Sequence, residues 1–309
     1  MKAGNHDNTG DGMGLSGIHP IVPTPFGESG QVDVESITRL VEFLVAMDVQ
    51  GVAILGVMGE GQKLSDAEQR QVTEAFRSVL PDTLDLVVGV RAAGTDPAVS
   101  AASEAADQGA TALLVGPPPV QSDEAIFGYY QRVGAATNLP IVVHDYPAST
   151  GILMSAPLLA RLYREIDTVQ YIKLEDPPTG PKISRVSELA GEGLGIFGAL
   201  GGMYMLEELE RGAVGIMTGF AYPELLLAIY RSYRSGDVDT AARIFYDILP
   251  LIRFEFQPGL GVSLRKNILV QRGVFRTAKV RHPGADADAR TLKDLARILK
   301  HLRQRGYDV

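Results

Sequence analysis

VQYIKLED, residues 169–176, reads as a short β-strand that is apolar on both faces and carries one lysine, Lys173, in its interior. Strands of that kind belong to parallel sheets covered by helices, where neither face meets water. Similar runs recur on both sides of it: IHPIVPTPF (18–26), GVAILGV (51–57), LDLVVGV (84–90), TALLVGP (111–117), PIVVHDYP (140–147), IFGALGG (196–202) and AVGIMTGF (213–220). Helical patterns separate them. Asp33 reads as the N-cap of a helix over 34–48 that Gly51 stops, and Ser65 with Glu68 forms a capping box for a helix ending near Leu80. Asp96 caps the next helix, with Pro97 in its first turn, and further helices are expected over 122–138, 155–166, 182–190 and 205–212. From Pro223 the chain stays helical, in segments near 223–235, 238–257, 261–272 and 287–305.

Eight short strands alternating with helices predict a (β/α)8 TIM barrel. The expected division is a flexible tail over 1–15, the barrel over 16–222, and the last barrel helix with C-terminal helices over 223–309. An open doubly wound sheet is the competing fold. It would carry a dinucleotide glycine fingerprint after its first strand, and PIVPTPF has none.

A net charge of -8 and a pI near 5.2 argue against nucleic acid or an anionic membrane as the main partner and favour a small-molecule substrate. With no cysteine there is no thiolate nucleophile, no disulfide and no Cys-ligated metal or cluster. The Gly-, Asn- and Asp-rich start lacks the apolar core of a signal peptide, and no run approaches membrane-spanning length, so a cytoplasmic chain is expected.

Chemistry in such a barrel belongs at the C-terminal ends of the strands. Strand two ends in GVMGEGQKL (56–64), whose glycines allow a tight turn presenting N–H groups to an anion, or simply an ordinary strand-to-helix turn. Glu60, inside it, is expected to cap or pair locally. Strand five ends in His144-Asp145-Tyr146-Pro147; by the period of two, His144 and Tyr146 share a face with Val142, and Asp145 lies opposite. The other histidines, His6, His19, His282 and His301, fall in the tail, at the start of the first strand, in a loop and on a surface helix. A lone strand histidine is commonly structural; a lysine on the next strand favours proton transfer.

On strand six, Tyr171, Lys173 and Glu175 share a face by the same parity. Lys173 could snorkel to solvent or pair with Glu175 or Asp176. Turned into the barrel, its ammonium is destabilised by the low dielectric, and the neutral amine attacks a ketone to give a protonated imine, an electron sink. The glycines of strands seven and eight either bind phosphate or let the loops fold tightly over a small site. No pair of histidines or carboxylates has metal-ligand spacing, so neither metal nor cofactor is expected.

GVMGE (56–60), DYPASTG (145–151), YIKLE (171–175) and GAVGIMTG (212–219), in this order at the strand ends, resemble the dihydrodipicolinate synthase and N-acetylneuraminate lyase family. The similarity runs from about Ile18 into the C-terminal helices. It implies a class I aldolase-like Schiff-base barrel, a homo-oligomer (tetramer or dimer), Lys173 as the imine lysine, and a 2-oxo acid substrate. It implies that the turn from Gly56 to Glu60, with Val57, Met58 and Gly59, cradles the substrate carboxylate, with Tyr146 and Gly215 beside it. Val57 and Met58 stand where the family has two hydroxyl residues, so backbone N–H groups alone remain to hold that carboxylate. His144 and Tyr146 lie where a Tyr-Asn-x-Pro motif carries the family's catalytic tyrosine. Pro118 and Pro119 replace tyrosines after strand four, and Ser149 replaces the synthase arginine.

The pattern looks closer to the branch that dehydrates 2-keto-3-deoxy sugar acids, with His144 as the expected proton carrier titrating near 6.5 and Glu175 or Tyr146 as other acid–base groups. The leading expectation is therefore an imine-forming lyase that cleaves (aldol cleavage) or dehydrates a 2-keto-3-deoxy sugar acid; a dihydrodipicolinate synthase with an altered relay, and a silent barrel that binds a sugar acid or 2-oxo acid, are the readings held beside it. Because an imine would supply the electron sink, chelators are expected to leave activity unchanged; a loss with EDTA that a divalent ion restores would contradict this.

Overall fold

The computed structural model describes residues 14–309, so most of the tail expected over 1–15 lies outside the described residues. Eight parallel strands follow one another around a barrel: β1 (Gly17–Pro20), β2 (Gly51–Ile54), β3 (Asp85–Val90), β4 (Ala112–Val115), β5 (Ile141–Asp145), β6 (Val169–Leu174), β7 (Gly195–Gly198) and β8 (Gly215–Thr218). β1 pairs with β8, and a bridge between Ile21 and Ala53 joins β1 to β2, so the sheet closes on itself. Prolines at positions 20, 23 and 25 withhold donors from the ladder, which keeps β1 short.

The intervening helices are α1 (Val34–Met47), α2 (Asp66–Val79), α3 (Thr95–Asp107), α4 (Asp123–Ala135), α5 (Pro147–Thr150), α6 (Ala156–Glu165), α7 (Thr179–Ala190) and α8 (Met205–Glu210). After β8 come α9 (Pro223–Arg234), α10 (Val238–Glu255), α11 (Gly261–Gln271) and α12 (Ala289–Gln304). Asp33 caps α1, and Ser65 and Glu68 form the expected capping box on α2. Three local expectations fail for identifiable reasons. α1 ends at Asp48, whose left-handed φ of 61° replaces the expected stop at Gly51, and Gly51 opens β2 instead. Gly94, not Asp96, stands at the N-cap of α3: the helix starts at Thr95, so Asp96 lies inside its first turn, with its carboxylate turned outward to Arg132. α7 starts at Thr179 and draws Lys182 into its first turn.

Alternation along the strands sorts side chains into two layers. Outward residues such as Ile172 and Leu174 join the core beneath the helices; inward residues, including Val87, Leu114, Val142, Tyr171, Phe197 and Met217, fill the barrel. Registry places Val142 beside Tyr171 and, one layer higher, His144 beside Lys173. His19 is buried at the bottom, edge-on to Phe197 and bonded to Asp85 at 3.2 Å, far from the chemistry end.

The C-terminal helices brace the barrel mouth through one buried carboxylate. Glu60 bonds Lys266 of α11 at 2.6 Å, Lys63 at 2.9 Å and the backbone N–H of Arg281 at 3.0 Å, which fulfils the expectation of local pairing and extends it across more than 200 residues. Burial lowers the Lys266 ammonium to about 8 against the opposing pull of Glu60. Replacing Lys266 by Met leaves Glu60 buried with fewer partners, so Lys266→Met should destabilise the fold by about 3 kcal/mol, and adding Glu60→Gln should recover part of that loss. Denaturant melts of the three proteins test this; equal stability of the wild type and Lys266→Met would mean that Lys63 alone satisfies the carboxylate.

Candidate active site

At the C-terminal mouth, β5 and β6 deliver four side chains into one narrow pocket: His144, Tyr146, Lys173 and Glu175. Parity fixes this. His144 and Lys173 are registry partners two residues above Val142 and Tyr171, so both point inward, and Glu175 continues the same row. Lys173 is 2% exposed, and its Nζ lies against Glu175 Oε2 and 3.2 Å from His144 Nε2. Glu175 Oε2 also lies 2.8 Å from His144 Nε2, while Oε1 accepts from the backbone N–H of Leu200 at 3.1 Å. One carboxylate therefore ties together the lysine, the histidine and the turn after β7.

Burial pushes the Lys173 ammonium below its ordinary value, with Glu175 partly opposing the shift. For Glu175, burial alone would raise the carboxyl, but Lys173, with the bond from His144, outweighs it and holds the group at about 2. His144 falls to about 4, first through burial and then through repulsion by Lys173, with a smaller contribution from Arg91. Nε2 of His144 faces both the Glu175 carboxylate and the Lys173 amine, and the tautomer sets whether it donates to the one or accepts from the other. The expectation of a histidine titrating near 6.5 is thus corrected downward. Tyr146 stacks on His144 with ring centroids 5.7 Å apart, and its ring lies 5.8 Å from Lys173 Nζ. Burial, reinforced by Glu175, raises its phenol.

The turn after β2 supplies the opposite wall through Val57 and Met58. Leu55 and Glu60 adopt left-handed φ angles of 58° and 56°, which wrap the backbone tightly between them. Among the described residues, the N–H groups of Val57, Met58 and Gly59 find no acceptor, which leaves donors for an anion. Gly59 lies behind the wall, where its carbonyl accepts from Thr24 at 2.6 Å and a Cβ would approach Leu55 N to 2.9 Å. Gly215 does not reach the pocket. It begins β8 at the bottom of the barrel, where a Cβ would overlap the carbonyl of Gly17, and Thr218 and Gly219 are the β8 residues at the mouth.

The other lysines near the mouth are committed elsewhere. Lys182 bonds Asp145 at 2.6 Å and Asp176 at 2.7 Å on the outer face, and Lys63 bonds Glu60. Two arginines at the mouth escaped sequence reasoning. Arg91 follows Val87 and Gly89 at a period of two and could have been found by parity. Arg265 comes from α11 and lines both the inner pocket and an outer cleft of about 370 Å³; two adjacent basic residues in the otherwise apolar SLRKNILV were the available cue.

The chain is 31% identical over 292 residues to an L-2-keto-3-deoxyarabonate dehydratase of Azospirillum brasilense, covering 93% of this chain and 94% of that one. It is 29% identical to a 4-hydroxy-tetrahydrodipicolinate synthase of Methanothrix thermoacetophila, covering 78% and 81% of the two chains. In three dimensions it matches a dihydrodipicolinate synthase of Rhodopseudomonas palustris at 32% identity with a TM-score of 0.89, over 93% of this chain and 97% of the other. The model of the dihydrodipicolinate synthetase family matches residues 14–302, so a barrel with a buried lysine at its mouth and relatives of both activities belongs to that family of lyases.

Proposed function

We propose that this chain forms an imine between Lys173 and the ketone of a 2-keto-3-deoxy sugar acid and eliminates water from it. The observation that carries the reading is Lys173 itself, a buried amine with a lowered pKa in contact with Glu175 and His144 at the mouth of the barrel. The neutral amine adds to C2 of the substrate, and loss of water from the adduct gives the protonated imine. The imine acidifies the C3–H bonds. Neutral His144, oriented by Glu175, accepts a C3 proton, and the resulting enamine expels the C4 hydroxyl as His144 returns the proton to it. One water leaves, the histidine ends as it began, and hydrolysis of the imine frees Lys173.

The dehydratase relative supports dehydration over synthesis, and so does the chain's departure from the synthase pattern at Ser149, which is exposed on α5 away from the pocket. Aldol cleavage would instead require a base at the C4 hydroxyl. The family likeness also favours a homo-oligomer, tetramer or dimer, for which the exposed Leu153 and Val120 near the mouth offer apolar surface.

Borohydride with pyruvate should add one reduced adduct per chain on Lys173, and Lys173→Ala should abolish it while staying folded; intact mass and peptide mapping read the outcome. An adduct on Lys63 or Lys182 would remove the mechanism. His144→Phe should lower turnover about 10²- to 10⁴-fold on the best sugar acid and leave pyruvate trapping largely intact. Should turnover survive, Tyr146 or Glu175 becomes the proton carrier.

The pH dependence has a definite sign. Attack needs the unprotonated amine, so trapping should rise with pH through the lowered pKa of Lys173, below the ordinary lysine value of about 10.4. His144, at about 4, stays neutral across that range and should add no limb near 6.5. An initial-rate profile of trapping checks both statements.

A further inference from the structure

We propose that Arg265, reaching in from α11, grips the carboxylate of the 2-oxo acid and takes over the work of the side-chain hydroxyls absent at positions 57 and 58. The proposal rests on the imine reading above. Arg265 is 2% exposed. Its Nε faces Glu255 Oε2 at 3.3 Å, and its Nη1 contacts the sulfur of Met58 at 3.0 Å. A thioether is a weak acceptor, so the outer edge of this guanidinium is poorly satisfied for so buried a cation.

Its position is specific. Val57, Met58, Tyr146, Phe256 and Arg265 border both the inner pocket and the outer cleft, and Arg265 is the charged member of that neck. Met58 belongs to the turn whose N–H groups lack acceptors among the described residues, and the guanidinium touches its side chain, so the turn and the arginine border the same part of the pocket. The backbone packs closely on either side of the arginine: a Cβ on Gly219 would approach the carbonyl of Ile21 to 3.0 Å, and one on Gly261 the carbonyl of Glu255 to 2.7 Å.

Charge points the same way. Lys173 and Glu175 compensate one another and His144 is neutral, while Arg265 is opposed first by Glu255 and more weakly by Glu175. Glu255 Oε2 accepts from the backbone N–H of Ala221 at 3.1 Å and lies 3.3 Å from Nε as an ion pair without a hydrogen bond, so Nε and the other carboxylate oxygen both lack a hydrogen-bond partner among the described residues. A planar carboxylate on the Nη edge would complete the guanidinium's hydrogen bonding in a geometry that arginine favours over lysine.

The test compares half-saturating concentrations for borohydride trapping by the purified full chain, using pyruvate and its neutral methyl ester. Arg265→Met should raise the value for pyruvate at least about tenfold, the loss of one charge-assisted bond, and leave that for methyl pyruvate unchanged. Arg265→Lys should fall between. If Arg265→Met does not fold, the double variant Arg265→Met/Glu255→Gln removes the stranded carboxyl and carries the same comparison. Equal half-saturation for pyruvate in wild type and variant would overturn the proposal while the imine reading stands. A defect confined to longer sugar acids would overturn it too, by moving the arginine's contact to the far end of the substrate. Absence of any pyruvate adduct in the wild type would instead overturn the imine reading and the proposal with it.

Discussion

An ammonium sealed inside a barrel is the constraint on which this structure turns. Lys173 is almost wholly buried at the foot of its pocket, so its charge is tolerable only while Glu175 lies against it, and Glu175 in turn stays ionised chiefly because Lys173 is there. That mutual dependence fixes the rotamers of both residues, and the second lone pair of the carboxylate then orients His144. The residue most expensive to bury is also the one made reactive by burial, since the same desolvation that destabilises the cation favours the nucleophilic amine.

The scaffold is arranged to hold that pair still. Registry between β5 and β6 sets His144 beside Lys173, and the layer below, Val142 and Tyr171, packs the barrel floor so that neither side chain can sink. The fourth member of the mouth, the turn after β2, is held from outside by Glu60, whose partners come from α11 and the segment before α12. Helices that a barrel does not need for closure therefore fix the wall of the pocket, and α11 adds Arg265 to its lining.

Much of this was legible in the sequence because period and position are local properties. Eight runs of strand length gave the barrel, and parity alone put Tyr171, Lys173 and Glu175 on one face and turned Asp145 away. Caps were read correctly at Asp33 and Ser65, which stand just before the first helical residue; Asp96 failed because the helix starts one residue earlier, at Thr95, and places Asp96 in its first turn. Arg265 was not legible, because α11 is buried nearly all round: Ser263, Leu264, Arg265, Lys266 and Ile268 are all enclosed, so no apolar stripe marks the side that meets the site. Gly215 was misread because its motif spans the whole of β8, and only the far end of that strand reaches the mouth. The depressed His144 was illegible for a different reason: it depends on complete burial first and then on a cation 3.2 Å away on another strand.

That depression bears on how one proton carrier can serve where the family pattern has a tyrosine relay. In the proposed reaction, imine formation exchanges an ammonium for an iminium, so the positive charge beside Glu175 would persist and the electrostatic setting of His144 would change little as the reaction begins. A histidine held at about 4 is a weak base toward water but meets an unusually acidic C–H, and its conjugate acid is correspondingly eager to give the proton up. On that proposal the proton returned to the departing hydroxyl would leave with the product water, and the pocket would finish with the charges it started with. A site whose dipoles need not reorganise between steps keeps its preorganisation through the whole cycle, and a single ring anchored by a fixed carboxylate meets that requirement with fewer moving parts than a chain of phenols.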